Sequence, residues 1–318
     1  MSENITAVSL FSGAGGMDVG FKNAGIKVLM ANEIDKMASK TFIENHPETK
    51  MIVDDINNIF PVLEEYRGVD IVFGGPPCQG FSVIGKMDPD DIRSQLIWSF
   101  LKAVEIIQPR AFVMENVKAL AAIAKWKDVR EEFIVKAKEM GYGCIPFIVN
   151  AAEYGTPQKR ERVFFIGIKG EEEFGDKFLE LLYKQKSKAP TIRELFKDLG
   201  PAGTERNPKT CSAKITYAER PVMRKIPYDC LMFNGIGRPI DPDGYSRTIT
   251  ASQGGNMTLI VDEEFLHNPN ANNWIQEYYE KLVSHEVTPK FAEAPERLRR
   301  LTINETRRIQ TFPDDYVF

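Results

Sequence analysis

The chain is short of the residues from which metal and redox sites are usually built. It has four cysteines, Cys78, Cys144, Cys211 and Cys230, and three histidines, His46, His267 and His285, in 318 residues. The cysteines lie far apart with no Cys-x-x-Cys pair, which excludes a disulfide framework and a zinc ribbon. So few histidines leave little for a metal centre or a His-based dyad, and no metal is expected. No apolar run approaches the roughly 20 residues that span a bilayer. Met1-Ser2-Glu3-Asn4 carries no basic start followed by an apolar core. A cytoplasmic location without a membrane partner is the resulting expectation. An excess of positive charge is missing too: 41 Lys and Arg face 45 Asp and Glu, and the net charge of −4 argues against a generally basic nucleic-acid binder.

What is present is enough apolar sequence, 43% of the chain, to bury a sizeable core in two lobes. From residue 7 to about 169, short apolar runs alternate with amphipathic stretches, the pattern of βαβ units around a largely parallel sheet. The spacing predicts strands at Ala7–Phe11, Lys27–Asn32, Met51–Val53, Asp70–Gly74, Ala111–Glu115, Cys144–Val149 and Arg162–Ile168. It predicts helices at Met17–Asn23, Asp35–Glu44, Gln95–Ile107 and Val129–Met140. The fold class is therefore a doubly wound α/β lobe, which binds ligands beyond the carboxyl ends of its strands. After Gly170 the sequence becomes charged and punctuated by Pro and Gly, marking a smaller, loop-rich second lobe. The average charge hides two basic stretches in it. Between Lys186 and Asp229 there are ten Lys or Arg against five acids, and Arg297, Arg299, Arg300, Arg307 and Arg308 follow. Thr302 and Glu305 have the spacing of a capping box at a helix start.

The most informative stretch is Gly74-Gly75-Pro76-Pro77-Cys78-Gln79-Gly80-Phe81-Ser82. Two prolines stiffen the backbone before a lone cysteine, and glycines on both sides allow a substrate close, so the thiol sits on a rigid turn beyond a strand end. That suits a nucleophile. Phe81–Arg93 reads as a loop able to close over the site. Glu115 ends another strand of the same sheet and is a candidate acid. In Gln158-Lys159-Arg160-Glu161-Arg162, alternation would put Arg160 and Arg162 on one face, suited to a carbonyl or acidic partner. Phe11-Ser12-Gly13-Ala14-Gly15-Gly16 follows the first strand and opens the first helix, so its amides can face a polar ligand group. Glu33, ending the second strand, can accept from ribose hydroxyls, an arrangement nicotinamide enzymes share.

Taken together, these segments resemble the motifs of the cytosine-5 DNA methyltransferases of restriction-modification systems, in that family's order. Gly74–Ser82 resembles their catalytic Pro-Cys-Gln turn, Val8–Phe21 their S-adenosylmethionine motif, and Glu115-Asn116-Val117 their Glu-Asn-Val motif. The resemblance implies a Rossmann-like domain that methylates carbon 5 of a flipped-out cytosine in double-stranded DNA through a covalent Cys78 adduct at carbon 6. Pro77 would orient the base, Glu115 hold ring nitrogen 3, Arg162 reach the carbonyl oxygen, and Gln158 and Arg160 shape the pocket. For the donor, Phe11 would pack on adenine and the Ser12, Gly13, Ala14, Gly15, Gly16 loop would hold the methionine part. Glu33 would take the ribose and Asp55 the adenine amino group, with Ile34, Ile56 and Leu96 as apolar walls. Ser246–Asn256 resembles the hinge of the recognition region, and Arg300–Tyr316 the motif that packs under it. Residues 1–169 plus 296–318 would form the catalytic domain and 170–295 the recognition domain.

Two other readings stay open at this stage. One is a tRNA cytosine-5 methyltransferase, although that branch's Cys-Phe-Thr signature is missing; the other is a DNA-binding subunit inactive on its own. Family members continue to a Gly-Asn motif that completes the donor pocket, whereas this sequence stops at Phe318. A second polypeptide supplying that motif, or a truncated chain, is therefore expected, and a cognate restriction endonuclease is a further partner the resemblance implies. The expected outcome is weak donor binding by this chain alone; tight binding in calorimetry without an added partner would contradict it.

Overall fold

Continuous apolar runs such as Ile71-Val72-Phe73 suit strands covered on both faces, and such strands form the centre of a parallel sheet. The computed structural model describes residues 5–77, 95–209, 211–251 and 253–318. It divides into two compact units: Met1–Asn150, Glu161–Gln185 and Asp315–Phe318 in the first, Ala151–Arg160 and Lys186–Asp314 in the second. Strands β1 (Thr6–Leu10), β2 (Lys27–Glu33), β3 (Lys50–Val53), β4 (Ile71–Gly74), β5 (Ala111–Val117) and β6 (Tyr142–Asn150) belong to the first unit. The short β7 (Gln158–Lys159) lies in the second, and β8 (Glu161–Lys169) returns to the first. The sheet runs β3-β2-β1-β4-β5-β8-β6; its first five strands are parallel, and β8 is antiparallel to both neighbours. This is the doubly wound, mostly parallel, Rossmann-like sheet expected from the alternation. All seven expected strands are there, with no boundary moved by more than two residues.

The expected helices are α1 (Gly16–Asn23), α2 (Lys36–Asn45), α4 (Leu96–Ile107) and α6 (Lys127–Glu139); the short α3 (Phe60–Leu63) and α5 (Lys118–Ala122) and the later α7 (Gly175–Lys184) add to them. The main core is aromatic. Phe112 meets Phe100, Phe133 and Tyr142 edge-on, and Phe133 packs on Phe165. Helix α4 presses Ile97, Phe100, Leu101, Val104 and Ile107 into it. A smaller cluster of Ala7, Val28 and Phe73 receives Phe21 from α1, stacked 3.8 Å over Phe73.

The second unit holds three two-stranded sheets, pairing β9 (Tyr217–Val222) with β10 (Leu231–Phe233), β7 with β11 (Ser246–Arg247), and β12 (Ile260–Asp262) with β13 (Leu298–Arg300). Helices α8 (Ile192–Phe196), α9 (Glu263–His267), α10 (Trp274–Val283) and α11 (Ile303–Ile309) pack with them. The sequence reading as loop-rich underrates α10, whose Ile275, Tyr278 and Leu282 form a buried helical stripe capped by Asn273. Among the described residues, no helix is long and apolar enough to cross a membrane.

The second basic stretch is not a solvent-facing cluster. Arg299 is buried and makes a bidentate pair with Glu305 at 2.7 and 2.8 Å, while Glu263 accepts from its Nε. Glu305 also closes the expected capping box on α11 with Thr302 and accepts from Asn207. Arg300 is buried too and donates to the carbonyls of Asn234, Asn256 and Thr258. Arg308 pairs with Asp198 and Asp314, and Arg297 with Asp262. These guanidiniums tie together segments beside two apolar clusters, one around Phe196 and Leu266 and one around Phe233 and Tyr278.

Two outcomes follow. Glu305→Ala leaves the Arg299 guanidinium buried without its main partner and is expected to cost about 3–5 kcal/mol, read as a lower urea midpoint. In α1, Asp18 is fully buried, and neither carboxylate oxygen reaches a hydrogen-bond partner. Burial pushes its carboxyl up to about 7, with the neighbouring Ser9 only partly opposing the shift. The folded chain therefore holds a proton that the unfolded chain releases above about pH 4, and stability falls as pH rises from there to about 7. Asp18→Asn cannot titrate, so its melting temperature relative to the parent should climb across that window; a difference independent of pH would contradict this.

Candidate active site

The site begins where β1 ends. Phe11, Gly13 and Gly15 have φ of 54°, 56° and 86°, left-handed values that turn the chain from β1 into α1 within a few residues. Glycine adopts that region freely, whereas Phe11 is held there at a cost of about 1 kcal/mol. The turn is tied to β2: Ser12 N and Oγ both donate to the Asn32 carbonyl, at 3.0 and 3.3 Å, and Gly13 N donates to Glu33 Oε2 at 2.8 Å. Glu33 Oε1 accepts from Ile34 N and Asp35 N, both at 2.9 Å. Asn32, itself buried, reaches across to the Ile52 and Asp54 carbonyls and ties the end of β2 to that of β3. Asp55 follows, its Oδ1 accepting from Asn57 N at 2.8 Å and so capping the next turn. Phe11–Gly16, Glu33 and Asp55 thus lie along the carboxyl ends of three adjacent parallel strands.

Around them, Ile34 is 63% exposed, Leu96 is partly buried at the start of α4, and Ile56 is buried in the main core. A Cβ at Gly13 would meet nothing within 4 Å, so the loop has an open side. Loop amides, a helix start, two strand-end carboxylates and an exposed isoleucine fit a ligand with an amino-acid end, a ribose diol and an apolar base.

The second half of the site begins where β4 ends. Leu10 and Gly74 are register partners, as are Gly74 and Met114, so Glu115 is the first residue past the paired row. A Cβ at Gly75 would lie 3.2 Å from Glu115 Oε2. The Glu115 carboxylate pairs with Arg162, Oε1 to Nε at 2.8 Å, and both side chains are about one-fifth exposed, at 21% and 18%. Arg162 stands on β8 opposite Val117, and the antiparallel pairing lets it reach back to Glu115. Asn116 is buried, its Nδ2 donating to the Pro76 carbonyl at 3.3 Å and its Oδ1 accepting from Val117 N. Pro77 is the last described residue of this turn; Cys78 and the Phe81–Arg93 loop lie outside the described residues.

Gln158 and Arg160 are grouped with other segments of the chain. They belong to the second unit, where Gln158 is buried with its Oε1 accepting from Ile249 N, and Arg160 donates to the Ile249 carbonyl, both at 3.3 Å. β7 lies parallel to β11, so this pair of side chains extends a backbone tie to Ser246–Thr250. Arg162 lies on β8, which begins at Glu161, and Arg160 precedes it. Sequence reasoning missed Asn32 and His46, and it placed Tyr316 only within the Arg300–Tyr316 motif; all three are buried at or beneath the loop after β1.

Known proteins give this arrangement a family. A family model for C-5 cytosine-specific DNA methylases matches residues 5–318. The chain is 31% identical to the type II methyltransferase M.DdeI of Desulfomicrobium norvegicum, over 98% of this chain and 79% of that protein. It is 30% identical to the type II methyltransferase M.NgoPII of Neisseria gonorrhoeae, over 98% and 86%. Among solved structures, the S. pombe Dnmt2 methyltransferase aligns with a TM-score of 0.65 at 17% identity, covering 99% of this chain and 89% of that one, a likeness of fold. The activity is methyl transfer from S-adenosylmethionine to carbon 5 of cytosine in DNA, and the chain belongs to the C-5 cytosine-specific DNA methylase family.

Proposed function

We propose that Cys78 is the nucleophile of this methyl transfer, with Glu115 and Arg162 as the groups that stabilise the attacked ring. The observation that carries the proposal is the Glu115–Arg162 pair, 2.8 Å apart at the end of β5 beside the Gly75-Pro76-Pro77 turn that leads to Cys78. Carbon 5 of cytosine is a weak nucleophile while the ring is aromatic. Cys78 Sγ forms a bond to carbon 6, and the displaced electron pair spreads over the ring towards nitrogen 3 and the carbonyl oxygen. Glu115 takes up a proton from solvent as the base enters and donates it to nitrogen 3, while Arg162 binds the carbonyl oxygen, so charge develops where these two groups already stand. Bound S-adenosylmethionine supplies an electrophilic methyl carbon, whose bonding pair leaves with the donor's sulfur. Carbon 5 takes that methyl, then loses its proton to a base; the sulfur leaves carbon 6 and aromaticity returns. Pro77 fixes the direction of the base, which enters flipped out of the duplex.

For the donor, Phe11 covers the adenine and the Ser12, Gly13, Ala14, Gly15, Gly16 loop binds the methionine part. Glu33 takes the ribose, Asp55 the adenine amino group, and Ile34 and Leu96 line the site with Ile56 behind them. Gln158 and Arg160 act by holding the Ser246–Thr250 segment. The catalytic domain is 1–169 plus 296–318, and 170–295 reads DNA through the exposed Lys188, Lys197, Arg206, Lys209, Arg220, Arg224 and Lys225. The type II relatives support a paired restriction endonuclease, and a cytoplasmic site of action fits a DNA substrate.

Cys78→Ser is expected to fold normally and to reduce incorporation of tritiated methyl into duplex DNA to background, with no covalent adduct on 5-fluorocytosine DNA; parental turnover would remove the proposal. Glu115→Gln should lower kcat by about 10²–10⁴-fold with DNA affinity little changed. Duplex DNA, and not tRNA, should accept the methyl group.

A further inference from the structure

We infer that Tyr316 is a positioning residue for the methyl-donor loop, held against the Ala14–Gly15 peptide by Asn45 and His46 at the end of α2. The inference rests on the reading of Phe11–Gly16 as that loop. Tyr316 is 6% exposed, and its Oη donates to the Ala14 carbonyl at 2.5 Å while lying 3.0 Å from His46 Nε2. On the other side of the same peptide, Gly15 N donates to the Ser12 carbonyl at 3.0 Å. The Ala14–Gly15 peptide is therefore held at both its oxygen and its nitrogen. A Cβ at Gly15 would lie 2.6 Å from Tyr316 Oη and 2.7 Å from His46 Nε2, so the loop backbone rests directly on the two side chains.

The support behind the pair is built on α2 and Val317. Asn45 Nδ2 donates to the Val317 carbonyl and Asn45 Oδ1 accepts from Val317 N, both at 2.8 Å, which fixes the peptide groups on either side of Val317, next to Tyr316. The Phe42 ring stands 4.6 Å behind the His46 ring. Proton accounting gives each bond a direction. Burial, with Asp18 near, pushes the Tyr316 phenol upward, so it keeps its proton and spends it on the Ala14 carbonyl. Burial, with Lys22 nearby and Glu48 opposing, pushes His46 downward, leaving a neutral imidazole whose Nε2–H donates to Tyr316 Oη. A loop with three left-handed residues in five does not keep one conformation through its own backbone alone. Fixing the Ala14–Gly15 peptide fixes the directions of the amides that follow it at the start of α1.

The test is donor binding by calorimetry, with S-adenosylmethionine as the probe, alongside kinetics on duplex DNA. Tyr316→Phe keeps the ring and removes both hydrogen bonds of the hydroxyl, so the donor Kd and KM should rise about fivefold to tenfold. The kcat at saturating donor and the KM for DNA should stay within about twofold. His46→Leu should match that loss, His46→Gln, whose amide N–H can replace Nε2–H, should recover part of it, and the double variant Tyr316→Phe with His46→Leu should be no worse than either alone. Parental donor affinity in Tyr316→Phe overturns the inference. So does a parallel fall in donor affinity, DNA affinity, kcat and melting temperature, which would mark a merely structural role. Glu33→Gln separates the two readings. If it leaves donor affinity intact, the loop is not the donor site; if it weakens binding while Tyr316→Phe does not, only the role of Tyr316 falls.

Discussion

β1 and β4 approach each other so closely at Leu10 and Gly74 that a Cβ on Gly74 would collide with the Leu10 carbonyl oxygen. Both halves of the site depend on that approach. These strands are neighbours at the point where the sheet order reverses, which is where sheets of this kind bind their ligands. Adjacent strands lie about 4.8 Å apart, so the chain segments leaving β1 and β4 start as neighbours.

The polar groups of the site are oriented by the chain's own contacts. Glu33 is aligned by three backbone amides, Asp55 by the turn it caps, and Glu115 by Arg162. Asn116 anchors the proline turn through the Pro76 carbonyl. Each link costs the folding chain side-chain freedom and spares the reaction the same reorganisation, which is where preorganised electrostatic catalysis has its advantage.

The two units are held together by different physics. The first buries a continuous aromatic and aliphatic core under a seven-stranded sheet. Among the described residues the second has two-stranded sheets and two apolar clusters, and it also buries the Arg299–Glu305 pair with Asn207, Thr302 and Glu263 around it. A buried ion pair contributes less net stability than a comparable apolar cluster, but removal of either partner strands a charge, so it tolerates little variation in its neighbours. The same stretch of arginines that suggests a nucleic-acid surface in one dimension is therefore packing material in three.

By itself the sequence determined the fold of the first unit and the motifs of its chemistry, because these are local. Strand and helix periods are written within ten residues, the capping box of Thr302 and Glu305 within four, and the loop after β1 and the proline turn within six. It was weaker wherever a residue's environment comes from distant segments. The helical stripe of α10 was hidden by charged flanks. Only the tertiary structure decided that Glu115 faces Arg162, that Arg299 and Arg300 turn inward, and that Tyr316 meets Ala14 across 302 positions of chain. Burial and pairing are properties of two segments at once, and no window on one of them contains the other.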